Sequence, residues 1–152
     1  MAEKKNRVVM TGEQLLNAYR NEQAKFEMLQ NRMQQLQQVL RETKTAEEAV
    51  STIKKSAKNE KIIVDLGAGI YTEAVLEGNE KFKKSLAGSI LQNTDSKKAL
   101  ETLKGQQEKL SKDMEMTQKE MQNVTAKLNE IGAYLRAAEQ QAAQKTGNTN
   151  GM

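Results

Sequence analysis

Residues 61–93 alternate in short runs broken by glycine, and on both sides of that stretch the alternation gives way to apolar residues spaced four and three apart. The flanking spacing is that of a coiled coil, and the alternation is that of strands. The runs fall at 62–66, 70–76, 81–86 and 89–92, separated by Gly67-Ala68-Gly69, Gly78-Asn79 and Gly88. Four strands with tight turns are expected there. A small strand insert between two long helices makes the helices fold back on each other. Composition agrees with so thin a core: aromatics are 3% and charged residues 29%, with no proline, cysteine, histidine or tryptophan. A coiled-coil seam needs one apolar residue only every third or fourth place.

Thr11, with Gln14 three residues on, forms a capping-box pattern that starts the first helix. Its seam runs Leu15, Tyr19, Glu22, Phe26, Leu29, Met33, Leu36, Leu40, with Glu22 the polar member. A helix over 11–44 would be ~50 Å long at 1.5 Å per residue. Thr45-Ala46-Glu47-Glu48 repeats the capping-box pattern, so a short new helix is expected from Thr45. The last helix, capped by Asp95 or Ser96, has the more regular seam: Leu100, Leu103, Gln107, Leu110, Met114, Thr117, Met121, Val124, Leu128, Ile131, Leu135, Ala138. From Gln144 the period is lost and a disordered tail is expected. The organisation read from sequence is thus a flexible tip (1–10), a coiled-coil helix with a short second helix (11–57), two β-hairpins (61–93), a second coiled-coil helix (95–143) and a tail (144–152).

In the insert, Ile62, Val64 and Leu66 share one face, as do Ile70, Ala74 and Leu76; Phe82 and Leu86 face one way, with Lys84 a misfit among them. Two-stranded hairpins are marginal alone and their edges invite pairing. The hairpins are therefore expected to find strands from other subunits through Ile62, Val64, Leu66, Ile70, Phe82, Leu86 and Ile90, around turns set by Gly67, Gly69 and Gly88. Antiparallel alignment of the seams with Leu40 against Leu103 sets Tyr19 against Val124 and Leu15 against Leu128, one heptad either way. In that register Glu22 meets Met121 and Gln107 meets Leu36. The second helix then outruns the first, and Leu135 has only Val8 and its neighbours to cover it. Uncovered apolar side chains at the end of a rod read as a binding surface; ordinary packing that continues to the end is the competing account.

Several chemistries are excluded. No cysteine means no disulfide, thiolate metal site or thiol nucleophile, and no histidine removes the commonest general base and metal ligand. Asp65 and Glu73 alternate with apolar strand residues rather than facing each other in a cleft, so no enzyme, metal or cofactor is expected. Gly67-Ala68-Gly69 opens like a dinucleotide loop, but Thr72 stands where a third glycine belongs and a strand follows in place of a helix. The net charge of +4 is mild, and the lysines and arginines are scattered among acids. Neither the basic stripe nor the stacking aromatics of a nucleic-acid binder are visible. The charged start leads into only three apolar residues, Val8-Val9-Met10, too short a run for a signal-peptide core, and no run approaches the ~18 apolar residues of a membrane span. A cytoplasmic protein is expected.

The order helix, two glycine-turned hairpins, helix, with Ile63-Val64-Asp65-Leu66-Gly67-Ala68-Gly69-Ile70-Tyr71-Thr72-Glu73-Ala74 in the first hairpin, resembles the alpha-class subunit of prefoldin over residues 11–143. The second hairpin departs from that family's pattern, with Leu86-Ala87-Gly88-Ser89 and then Gln92-Asn93-Thr94 in place of a valine-glycine-small-glycine turn. The resemblance implies an α+β fold, a long antiparallel coiled-coil hairpin whose two β-hairpins join into β-barrels by oligomerisation. It further implies a hexamer of two alpha-type and four beta-type chains, without ATP or other cofactor. Unfolded polypeptides would be held at the coiled-coil ends and handed to a group II chaperonin. Val8, Val9, Ile131, Tyr134 and Leu135 are the residues expected to meet such clients. A coiled-coil scaffold or tether, and a nucleic-acid or ribosome-associated factor, remain as alternatives.

Overall fold

A computed structural model describes residues 10–147 of the chain, with side chains to residue 144. The order is α1 (Gly12–Lys55), β1 (Lys61–Gly67), β2 (Ile70–Val75), β3 (Phe82–Ala87), β4 (Ile90–Thr94) and α2 (Ser96–Gly147). It divides into two compact units. One holds the outer parts of the helices, up to Gln35 and from Met114; the other is Leu36–Asp113.

In the outer unit α1 begins as its capping box dictates. The Thr11 N–H donates to Gln14 Oε1 at 2.9 Å, and the Gln14 N–H donates back to Thr11 Oγ1 at 3.3 Å. Both helices then bury the seam that the sequence marks. Leu29 and Val124 are buried at 6% and 1% exposure, as is Thr117, and Leu15, Tyr19, Glu22, Phe26, Met33, Met121, Leu128, Ile131 and Leu135 are half-buried. Fully burying a side chain the size of Val124 is worth about 2 kcal/mol. Ala138, assigned to the seam by its spacing, is exposed.

The register differs from the alignment of Leu40 with Leu103. Lys127 Nζ lies 3.6 Å from Glu22 Oε1, and a Cβ built on Gly132 would lie 3.9 Å from Tyr19 Cε2. Those contacts move α2 by about one heptad, so Tyr19 meets the level of Ile131 and not that of Val124. The physical reason is that repeating apolar seams fit nearly as well at each heptad, and the polar members choose among the fits. Glu22 against Met121 would strand a carboxylate among apolar atoms; against Lys127 it has a countercharge.

In the inner unit α1 runs unbroken through Thr45 to Lys55, which corrects the expectation of a new helix there. Thr43 is buried with its hydroxyl donating to the Val39 carbonyl at 2.6 Å, and Glu47 and Val50 are half-buried on the continuing face. The seam carries on through the capping-like sequence, and helix continuation overrides it. At the other end, α2 continues to Gly147, past the point at which a disordered tail was expected. Alanine and glutamine at 140–144 sustain a helix by propensity without a seam.

β1–β2 and β3–β4 are separate two-stranded antiparallel sheets. The first pairs Lys61 with Val75 through Asp65 with Tyr71, then slips one residue at Leu66 and closes with Gly67 opposite Ile70. Ala68 and Gly69 form the two-residue loop at φ 53° and 78°. Two consecutive positive φ values match the strand twist, and only glycine accepts them without cost. The second hairpin repeats the plan, with a slip at Leu86 and Ala87 opposite Ile90, and with Gly88 at φ 56°. β4 reaches Thr94, two residues beyond the alternation read for it.

The insert is tied to the helix ends. Asn79 Nδ2 donates to the carbonyls of Lys54 and Ser56, both at 3.1 Å, closing the C-terminus of α1. The Asn59 N–H donates to the Leu76 carbonyl at 2.8 Å, and the Leu76 N–H donates to the Glu60 carbonyl at 2.9 Å. Asp95 caps α2 by accepting from the Lys98 N–H at 2.8 Å, and the buried Ser96 hydroxyl bonds Glu80 at 3.2 Å.

Candidate interaction surfaces

The chain presents two kinds of surface. The first is made by the hairpins. A two-stranded sheet has no second layer of its own, so strand residues stay uncovered unless something packs on them. Ile62, Val64 and Ala74 are half-buried, whereas Ile63, Leu66, Ile70, Tyr71, Val75, Leu86, Ile90 and Leu91 are all more than half exposed. Ile63 reaches 73%. Phe82 is half-buried and lines a hollow of about 320 Å³ with Val50, Ala99 and Leu103, so the second hairpin leans on the helices by its base. Lys84, the misfit on that face, stands opposite Gln92 and lines the same hollow. Of the residues expected in assembly, Leu66, Gly67, Gly69, Ile70, Leu86, Gly88 and Ile90 cluster at the two turns and are exposed; Ile62, Val64 and Phe82 lie nearer the bases. Tyr71 and Leu91, not singled out for this role from sequence, belong to the same exposed set.

The second surface is at the helix ends in the outer unit. Tyr134 is 58% exposed, while Ile131 and Leu135 are half-buried in the seam. Val8 and Val9 lie outside the described residues. Leu16, 41% exposed and one residue off the seam, adds an apolar side chain on α1 that the spacing did not single out for binding. Among the described residues no group of acids could hold a metal ion, and no helix is long and apolar enough to cross a membrane.

An architecture of two antiparallel seam-bearing helices with paired, uncovered β-hairpins between them defines a coiled-coil assembly subunit. The prefoldin subunit family model matches residues 23–142, and the chain belongs to the prefoldin family, a family of chaperones that assemble into oligomeric complexes. Prefoldin subunit alpha of Thermofilum pendens is 29% identical over 110 residues, 72% of this chain and 85% of the relative, which agrees with the alpha class. The fold matches a chain of the cryo-EM structure of filamentous PFD from Methanocaldococcus jannaschii with a TM-score of 0.67 at 18% identity, over 77% of this chain and 97% of that one.

Proposed function

We propose that the chain is the alpha-type subunit of a cytoplasmic, ATP-independent holdase. Its hairpins join those of beta-type chains in β-barrels, in a hexamer of two alpha and four beta subunits. The helix ends hold unfolded polypeptides and pass them to a group II chaperonin. Membership of a chaperone family supports the general role. The observation that carries the assembly step is the hairpin surface: eight large apolar side chains more than half exposed on strands whose edges are open. Water contact on that many apolar groups is costly, and adding neighbouring strands relieves it while satisfying the edge N–H and C=O groups. A bare scaffold or tether would need no such insert.

The test is light scattering from a denatured enzyme diluted into buffer without ATP. The chain with a beta-type partner, at substoichiometric concentration, is expected to suppress aggregation. Aggregation at the rate of the protein-free control would refute the holdase reading. Native mass spectrometry after co-expression measures the stoichiometry independently.

A further inference from the structure

Five of the chain's eight methionines fall in two short segments, 28–33 of α1 and 114–121 of α2, both in the outer unit. Met28 and Met116 are 72% and 60% exposed, whereas Met33, Met114 and Met121 stand on the seam and are half-buried. Counting on from Tyr19 at the level of Ile131, the antiparallel helices bring Met121 to the level of Leu29 and Met33 to that of Thr117. The methionines thus bracket Leu29, Thr117 and Val124, the most deeply buried side chains of this unit among the described residues. Met121 also lines a surface hollow of about 450 Å³ with Phe26, Gln118 and Thr125, so a small solute has a path to its side chain. The chain has no cysteine or tryptophan, which leaves the thioether as its most readily oxidised group.

We propose that Met33, Met114 and Met121 form an oxidation-sensitive clasp: conversion to the sulfoxide opens the helix pairing there, and reduction closes it. The oxidant is a hydroperoxide. The sulfur attacks one peroxide oxygen, and the O–O bond breaks as the S–O bond forms. Sulfur gives up two electrons, and the proton of the transferred oxygen passes to the departing hydroxide, which leaves as water. A thioether packs as a flexible apolar group, whereas the sulfoxide is polar and carries a strong hydrogen-bond acceptor. At a half-buried seam position that acceptor draws water in, where Leu29 and Val124 otherwise stay dry. Met28 and Met116 already lie in water, so their oxidation spares the pairing. Being the more exposed, they also react first, and the clasp opens only when oxidant persists.

Titration of the full chain with hydrogen peroxide tests it, with peptide mass mapping of each methionine beside the melting curve at 222 nm. Oxidation of Met28 and Met116 is expected first, with the melting temperature unmoved. Oxidation of Met33, Met114 and Met121 should follow, lower the melting temperature by about 5 °C or more, and raise the fluorescence of a dye that binds apolar surface. Methionine sulfoxide reductases for both epimers should return both readouts to their starting values. Met33→Leu with Met114→Leu and Met121→Leu keeps the volume nearly constant and should make the melting temperature insensitive to peroxide. Met28→Leu with Met116→Leu should leave the wild-type drop in place. Seam methionines that stay reduced in the folded chain overturn the clasp. Sulfoxide at all three with an unmoved melting temperature overturns it too, because they are then packing groups alone. An equal drop in the triple variant overturns it by moving the effect to another residue. Should the triple variant not fold, the reductases decide in the wild-type chain: recovery of the melting temperature supports the clasp, and no recovery overturns it. No client or partner enters these measurements, so failure here leaves the holdase reading standing.

Discussion

The Gln107 side-chain amide donates to Glu47 Oε2 at 2.6 Å, across the seam between α1 and α2 in the inner unit. Both residues are half-buried. The bond lets a polar residue sit where the spacing calls for an apolar one, and it pins the helices at one level. A hydrogen bond to an ionised group contributes about 1.5–3 kcal/mol where it is shielded from water. Gln107→Ala is therefore expected to destabilise by about 1–2 kcal/mol, because it leaves the Glu47 carboxylate facing the seam. Gln107→Leu with Glu47→Leu should recover most of that loss. Urea unfolding followed at 222 nm, at fixed protein concentration, reads the difference. An unchanged midpoint in Gln107→Ala would mean that Glu47 is fully hydrated.

Glu22 poses the reverse problem. Its Oε1 has Lys127 at 3.6 Å, but its Oε2 is buried with no hydrogen-bond partner. An unsatisfied buried acceptor costs about 1–3 kcal/mol. Glu22→Leu should stabilise the outer unit by about 1 kcal/mol, at the cost of the register signal that the carboxylate supplies. Thermal unfolding measures the first effect, and cysteine crosslinking at positions 19 and 132 reads the second. A lower melting temperature in Glu22→Leu would show that the ion pair outweighs the stranded oxygen.

These two polar positions also explain what the sequence disclosed and what it withheld. Every position that the three-four spacing marks from Leu15 to Leu40 and from Leu100 to Leu135 is buried or half-buried, because burial on a helix follows periodicity; Ala18, Thr102, Gly105 and Gly132 are half-buried beside the seam. The register did not follow, because a heptad repeat looks the same after seven residues. The useful signal was the partner beside the seam: Lys127 for Glu22 and Glu47 for Gln107. Thr45 misled for a related reason. Its capping pattern alone predicts a helix start, while Thr43, Glu47 and Val50 continue the seam across it. The hairpins were legible to within two residues at each boundary, since glycine at 67, 69 and 88 fixes the turns. What the hairpins meet was not legible, because a single chain contains only one side of that contact. The helix ends were the weakest part: Val8 and Val9 lie outside the described residues, and the expected overhang of Leu135 came from the wrong register.

Ala68 takes φ 53° in the first turn, a left-handed conformation that costs a residue with a Cβ about 1–2 kcal/mol. Asparagine tolerates that region, and Asn-Gly is the preferred pair for a two-residue loop of this kind. Ala68→Asn should stabilise the β1–β2 hairpin by about 0.5–1 kcal/mol. Slower amide exchange at Asp65 and Ile70 would register the gain. Faster exchange there would show that the alanine side chain has a role that its open surroundings do not reveal.

Leu66 sits at the register slip of β1 and is 63% exposed. Leu66→Asp should leave the isolated hairpin nearly unchanged, since the new carboxylate would remain in water. Buried against a neighbouring strand, the same carboxylate would lose several kcal/mol of hydration without a partner. The expected result is normal helical content with loss of the oligomer by sedimentation. An unaltered sedimentation coefficient in the presence of the beta-type chain would rule out burial of Leu66 on assembly.

The helix ends separate packing from binding. Ile131 and Leu135 are half-buried in the seam, whereas Tyr134 is 58% exposed on the neighbouring face of α2. Truncating a half-buried aliphatic residue removes part of the ~1.5–3 kcal/mol that its full burial would contribute, so Ile131→Ser with Leu135→Ser should lower the melting temperature of the coiled coil. Tyr134→Ser removes a side chain that the described residues leave more than half uncovered, and its melting temperature should fall less than that of the double variant. If unfolded clients are held here, Tyr134→Ser reduces suppression of light scattering without loss of assembly. The double variant reduces it together with stability. Full protection by Tyr134→Ser would move client contact away from this face of α2, and the exposed Leu16 on α1 would become the next residue to change.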